Sequence, residues 1–226
     1  MNSFRMHSVA KGLGYLLLTL LVFTSITVAN AGTFAYANFD VYGTRFTFVN
    51  PTDEPITVPD FWTPFRVGGP TITIAPHSAE YFSAFPFAGG NVFTMDIPDG
   101  LEAYSELQHQ GLFMRIPDLG APVKSASFYA LKSNLANYAS YVFIASPEGT
   151  SGKIAGSHDG VEIGVTEFIV PTGGVVILEV PLGSTAATVT IGGAGYGYPG
   201  QQENPAYIFA FVTDRISHNM IPVTRY

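Results

Sequence analysis

From Thr33 onward the chain never holds a helical period. Short runs of Val, Ile, Phe, Tyr and Thr, such as RFTFV at 45–49 and ATVTI at 187–191, are cut every few residues by one of 24 Gly or 16 Pro. Period-two alternation over so short a length suits a half-buried strand and is useless to a helix. The fold class that follows is all-β: two tandem antiparallel β-sandwich modules after an N-terminal signal peptide. Strands are predicted at 33–38, 44–50, 55–59, 70–75, 79–85, 91–97, 101–107, 111–116 and 125–131. The second half offers 139–146, 152–155, 161–170, 174–180, 185–191, 205–213 and 219–224. The window LEAYSELQHQ (101–110) holds enough helix formers for a short helix, but is read as a strand and turn.

The division into two modules rests on a repeat. RFTFVNPTDEPITV (45–58) has a later counterpart in YVFIASPEGTSGKI (141–154), which places Pro51 and Pro147 96 residues apart. Pro76 and Pro171 lie 95 apart, Phe93 and Val189 96 apart, and Phe113 and Asp118 precede Phe209 and Asp214 by 96. Any single correspondence is worthless among β sequences; an ordered series at one offset suggests duplication. A sandwich of about seven strands needs roughly 100 residues, so the expected domains are a signal peptide at 1–31, a first module at 32–124 and a second at 125–226. Two unrelated halves of one larger sandwich remain the alternative. Nothing near Lys124 resembles a linker, so the modules are expected to abut.

Within the first copy, Phe46 and Phe48 project to one side and Arg45 and Thr47 to the other. Pro51 stops the strand, Asn50 and Asp53 cap the turn, and Ile56 and Val58 return in a hairpin-like connection. This strand–Asn-Pro-Thr–strand segment, followed by ITIAPHSAEYF, resembles the immunoglobulin- or fibronectin-like β-sandwich repeats of secreted bacterial surface proteins. The resemblance implies a structural, adhesive or carbohydrate-binding role and carries no catalytic residue. The second copy departs from it at Ser146, where the first has Asn50.

The first thirty residues read as an export signal. Arg5, His7 and Lys11 precede the apolar run LGYLLLTLLVFTSITV (13–28), and Ala29-Asn30-Ala31 supplies the small-x-small pattern for cleavage before Gly32. A retained anchor is the alternative, since the run falls just short of a bilayer span. Cleavage leaves eight Lys and Arg against 17 Asp and Glu, a net charge of −9. Such a chain is a poor nucleic-acid or anionic-lipid binder. With no Cys, it has no disulfide, thiol nucleophile or Cys-linked lipid. The expected location is exported: periplasmic, cell-surface or extracellular, without a membrane span after the signal.

Groups able to carry chemistry are sparse. His77, His109, His158 and His218 sit in predicted turns, none spaced as a zinc ligand. Asp96, Asp99, Glu102 and Glu106 have some of the spacing of a calcium site, but no calcium-loop motif. Asp159, Glu162 and Glu167 are available for a hydrolase, though nothing pairs them. No catalytic residue, metal or cofactor is assigned. Trp62, with Phe61 and Phe65, is read as closing the first core.

Two aromatic loops remain as ligand candidates. One is GGAGYGYPGQQENPAY, with Tyr196, Tyr198, Gln201 and Gln202; the other is DIPDGLEAYSELQHQG, with Tyr104, Gln108 and Gln110. Exposed Tyr beside side-chain amides suits a sugar ring or a protein surface. The function expected is an exported, non-catalytic structural, adhesion or assembly protein, self-associating through edge strands or meeting a surface glycan or protein. A carbohydrate-binding module is the alternative, and a hydrolase ranks below both.

Overall fold

The β-branched and aromatic runs form strands wherever the chain is described. The computed structural model describes residues 30–38, 42–58, 71–83, 89–116, 119–129, 131, 137–193 and 203–225. Among them are sixteen strands and no helix. The first eight are β1 (Asn30–Asn38), β2 (Tyr42–Asn50), β3 (Ile56–Val58), β4 (Ile72–Ile74), β5 (Ser78–Ser83), β6 (Gly89–Ile97), β7 (Glu102–His109) and β8 (Leu112–Arg115). The next eight are β9 (Ser125–Tyr129), β10 (Tyr138–Ser146), β11 (Thr150–His158), β12 (Val161–Val170), β13 (Gly174–Glu179), β14 (Ala186–Ile191), β15 (Tyr207–Asp214) and β16 (Met220–Val223). LEAYSELQHQ is strand β7 followed by a turn, where Gln110 and Gly111 both take positive φ. That pair of conformations is what a tight two-residue hairpin requires.

All strand pairs are antiparallel, and the two sets of eight pair by one scheme. The first forms a sheet ordered β5-β2-β7-β8 with separate pairs β1-β6 and β3-β4. The second forms β13-β10-β15-β16, while β9-β14 and β11-β12 join through β11-β14 into one four-stranded sheet. Registers agree as well as order. Arg45 faces Ser83 and Asn50 faces Ser78; Tyr141 faces Glu179 and Ser146 faces Gly174, each residue moved by 96. The pairing places β7 opposite β2 as β15 lies opposite β10, so Thr47–Tyr104 answers to Phe143–Phe209. This corrects the match of Phe113 with Phe209: Phe113 lies in β8, and the spacing lengthens from 96 to 105 residues before β15.

Among the described residues, three cores hold the sheets together. Phe46 and Phe48 of β2 meet Val58, Ile74, Phe34, Ile97 and Leu101 in the first. The stretch from Asn50 to Val58 is therefore no hairpin, because β3 pairs with β4 and not with β2. The chain crosses between layers, and the buried Asn50 side chain holds the crossing. Its Nδ2 donates to the carbonyls of Glu54 and Ile74 at 2.8 and 3.1 Å. Its Oδ1 accepts from the Thr52 amide and hydroxyl at 3.0 and 2.7 Å. In the second half, where Ser146 replaces Asn50, the corresponding crossing is tied by Asn204, whose Nδ2 donates to the Gly149 carbonyl.

A second core fills the space between β13-β10-β15-β16 and the sheet β12-β11-β14-β9, with Val142, Ile144, Ile154, Val189, Ile208 and Ala210 among its members. The third belongs to both halves. Phe143, Ala145, Val175, Phe209 and Phe211 on the other face of the same sheet pack against Ala35, Ala37, Leu107 and Met114. Consecutive residues of β10 thus point into different cores: Val142 and Ile144 one way, Phe143 and Ala145 the other. A strand buried on both faces needs a continuous apolar run, which is what YVFIA and YIFAFV are.

His109 is corrected by the same junction. It ends β7 rather than lying in a solvated turn, is buried, and meets His218 edge-on with ring centroids 5.2 Å apart. Burial and the neighbouring His218 hold its pKa below the ordinary value. The other histidines differ: His77 and His158 are exposed, and His77 Nε2 lies 2.8 Å from Asp53 Oδ1.

Candidate functional site

Sheet β5-β2-β7-β8 sends Phe46 and Phe48 inward, so Arg45 and Thr47 stand on its outer face. Register then dictates their neighbours. Tyr81, Thr47 and Tyr104 form one row across β5, β2 and β7; Arg45, Glu106 and Arg115 form the next across β2, β7 and β8. Phe113 of β8, opposite Gln108, completes the face.

These side chains interlock. Arg45 Nε donates to Glu106 Oε2 at 2.5 Å, and the Thr47 hydroxyl donates to the same oxygen at 2.8 Å. The Arg45 guanidinium lies 3.5 Å from the Phe113 ring centre and 5.5 Å from that of Tyr81. Arg115 covers Tyr104 at 4.1 Å. Burial pushes the Glu106 carboxyl upward, but the hydrogen bonds from Arg45 and Thr47 and the charges of both arginines outweigh it and hold it below its ordinary value. The hydrogen bond to Glu106 raises Arg45 in turn. The result is a face with ordered charges and large rings left to solvent, Tyr81 at 66% and Phe113 at 40% exposure. Guanidinium–ring contacts of this kind fix arginines that would otherwise be mobile.

The second half gives the same face a different composition. Where Arg45 pairs with Glu106, Tyr141 stacks on Phe211 with centroids 5.5 Å apart. Where Thr47 faces Tyr104, Phe143 stacks on Phe209 at 4.6 Å. Those rings lie in the shared core. That face of the sheet therefore joins the halves in the second set of strands, while in the first it enters no core and leaves Tyr81 and Phe113 exposed.

Of the ligand candidates named from sequence, Tyr104 lies on this face, in strand β7 and not in a loop. Gln108 shares its strand and Gln110 the following turn. Tyr196, Tyr198, Gln201 and Gln202 lie outside the described residues, as do Phe61, Trp62 and Phe65. The carboxylates weighed for a calcium site include Glu106, which is committed to Arg45 and Thr47, and among the described residues no three His, Asp or Glu side chains converge as for a metal ion. Asp159 sits in the β11–β12 turn, while Glu162 and Glu167 are exposed on β12. Sequence reasoning missed Arg45, Tyr81, Phe113 and Arg115. The available signal was the contrast between RFTFV and YVFIA at one offset, polar in alternate places in the first and apolar throughout in the second.

No family model matches the chain, and no curated protein or solved structure is significantly similar to it.

Proposed function

We propose that the chain is an exported, non-catalytic β protein of two related sandwich modules, acting as a structural or adhesion element of the cell envelope or extracellular space. The reading is carried by the outer face of β5-β2-β7-β8. A sheet face that only had to be soluble would carry Lys, Glu and Thr; this one keeps Tyr81 and Phe113 exposed around a fixed Arg45–Glu106 pair. Large rings left in water beside ordered hydrogen-bonding groups mark a contact surface. The signal sequence and the resemblance to secreted bacterial surface repeats supply the compartment. The edge strand β12, with Val161, Ile163, Val165 and Ile169 exposed, offers a separate route to strand pairing with a neighbour.

Carbohydrate binding is the second reading. It is favoured by Tyr104, Tyr81 and Phe113 standing beside Glu106 and Gln108, a mixture that suits the apolar face and rim hydroxyls of a sugar ring. One experiment addresses both. Purified mature protein is tested for retention on bacterial cell envelopes and on cellulose and chitin, alongside Tyr81→Ala/Phe113→Ala and Tyr104→Ala. Retention lost in the variants, with unchanged circular dichroism, is expected; absence of retention on every surface, or retention indifferent to these residues, overturns the assignment to this face.

A further inference from the structure

The junction between the halves has a matching position on the other face of each half. On the second half, the face of β13-β10-β15-β16 bearing Phe143, Phe209 and Phe211 covers Ala35, Ala37 and Val92 of the β1-β6 ribbon. By the shared pairing scheme, the first half's version of the covering face is the outer face of β5-β2-β7-β8. The second half's version of the covered ribbon is β9-β14. Among the described residues neither face contributes to a core, and Tyr81 and Tyr129 stand exposed on them.

We infer that these two faces are closed ends of a stack, positions that would accept a second copy of this chain by repeating the junction but whose side chains prevent it. At one end the stacked pair Tyr141–Phe211 is replaced by the ion pair Arg45–Glu106, and Phe143 by Thr47. Repeating the junction there would strip water from both charges, a loss that their mutual attraction does not recover against apolar packing. At the other end, ribbon β9-β14 turns Ala126, Phe128, Ala187 and Val189 inward to its own core. It leaves outward Ser127 and Thr188, hydrogen-bonded to each other at 3.1 Å, with Tyr129. The covered ribbon of the first half has Ala and Val in that role. A head-to-tail contact that does not close on itself generates filaments, and polar outer faces on terminal units are how stacked repeats avoid this. These two faces therefore do not repeat the junction with another copy, and the outer face of β5-β2-β7-β8 stays available to a chemically different ligand.

The test restores the junction chemistry on the mature protein. Arg45→Tyr/Thr47→Phe/Glu106→Phe, and separately the milder Arg45→Met/Glu106→Leu, are measured by sedimentation velocity with circular dichroism as the fold control. The weight-average mass is expected to rise above that of one chain, and further when Ser127→Ala/Thr188→Val is added. A folded variant that sediments like the parent overturns the inference. Because the chain has no Cys, Tyr81→Cys and Tyr129→Cys proteins can be mixed and oxidised in an otherwise unchanged background, both positions being exposed. No cross-linked pair is expected there; an efficient one means the ends already stack, and the inference fails whatever the folding of the variants.

Discussion

Glu106 shows how much one side chain depends on its row. Opposite Arg45 and reached by Thr47, its carboxyl is held in the charged form although its side chain is only 13% exposed. A carboxyl with a depressed folded pKa adds stability at pH values above its ordinary 4.5, and that stability is lost as pH falls through the folded value. Glu106→Gln lacks this titration. The melting temperature of the parent should therefore fall more steeply below about pH 4.5 than that of the variant, in parallel thermal scans. Curves that fall together would show that the pair contributes nothing in solution.

Strand β10 makes the corresponding point for an element. Its alternate residues serve two cores, so substitutions on either side should cost as much as in any fully enclosed site. Phe143→Ala should lose about 3–5 kcal/mol and Ile144→Ala about 2–5 kcal/mol. On the outer face of β12, where Val165 is 46% exposed, Val165→Thr should stay within about 0.5 kcal/mol. Urea denaturation of the three variants checks the ordering; a cheap Phe143→Ala would mean the junction is not packed.

For the whole molecule the shared core decides which pieces can stand alone. A fragment of residues 125–226 keeps the core between its two sheets but uncovers Phe143, Val175, Phe209 and Phe211. Uncovered apolar area of this kind drives association. Expressed by itself the fragment should oligomerise or precipitate more readily than a chain of residues 32–226. Size-exclusion chromatography of the two settles the matter, and a monodisperse single-copy fragment would show that the halves do not need each other.

The sequence by itself determined the strand class, the positions of the strands, several of the turns and the offset between β2 and β10. These follow from local causes: alternation, the missing amide of Pro, and residues that accept positive φ, such as Gly111 and Gly160. Sequence did not carry the slip from 96 to 105 between β7 and β15, because apolar strands match one another in several registers and only ladder pairing picks one. Nor did it separate Tyr104 on a strand from Tyr104 in a loop, or reveal that β10 and β15 are covered twice. The continuous runs were visible, but a buried strand and a merely apolar one read alike until a second layer is known. Only tertiary structure decided which outer face became a junction and which stayed in water. Burial is a property of what packs above a residue, and that lies far away along the chain.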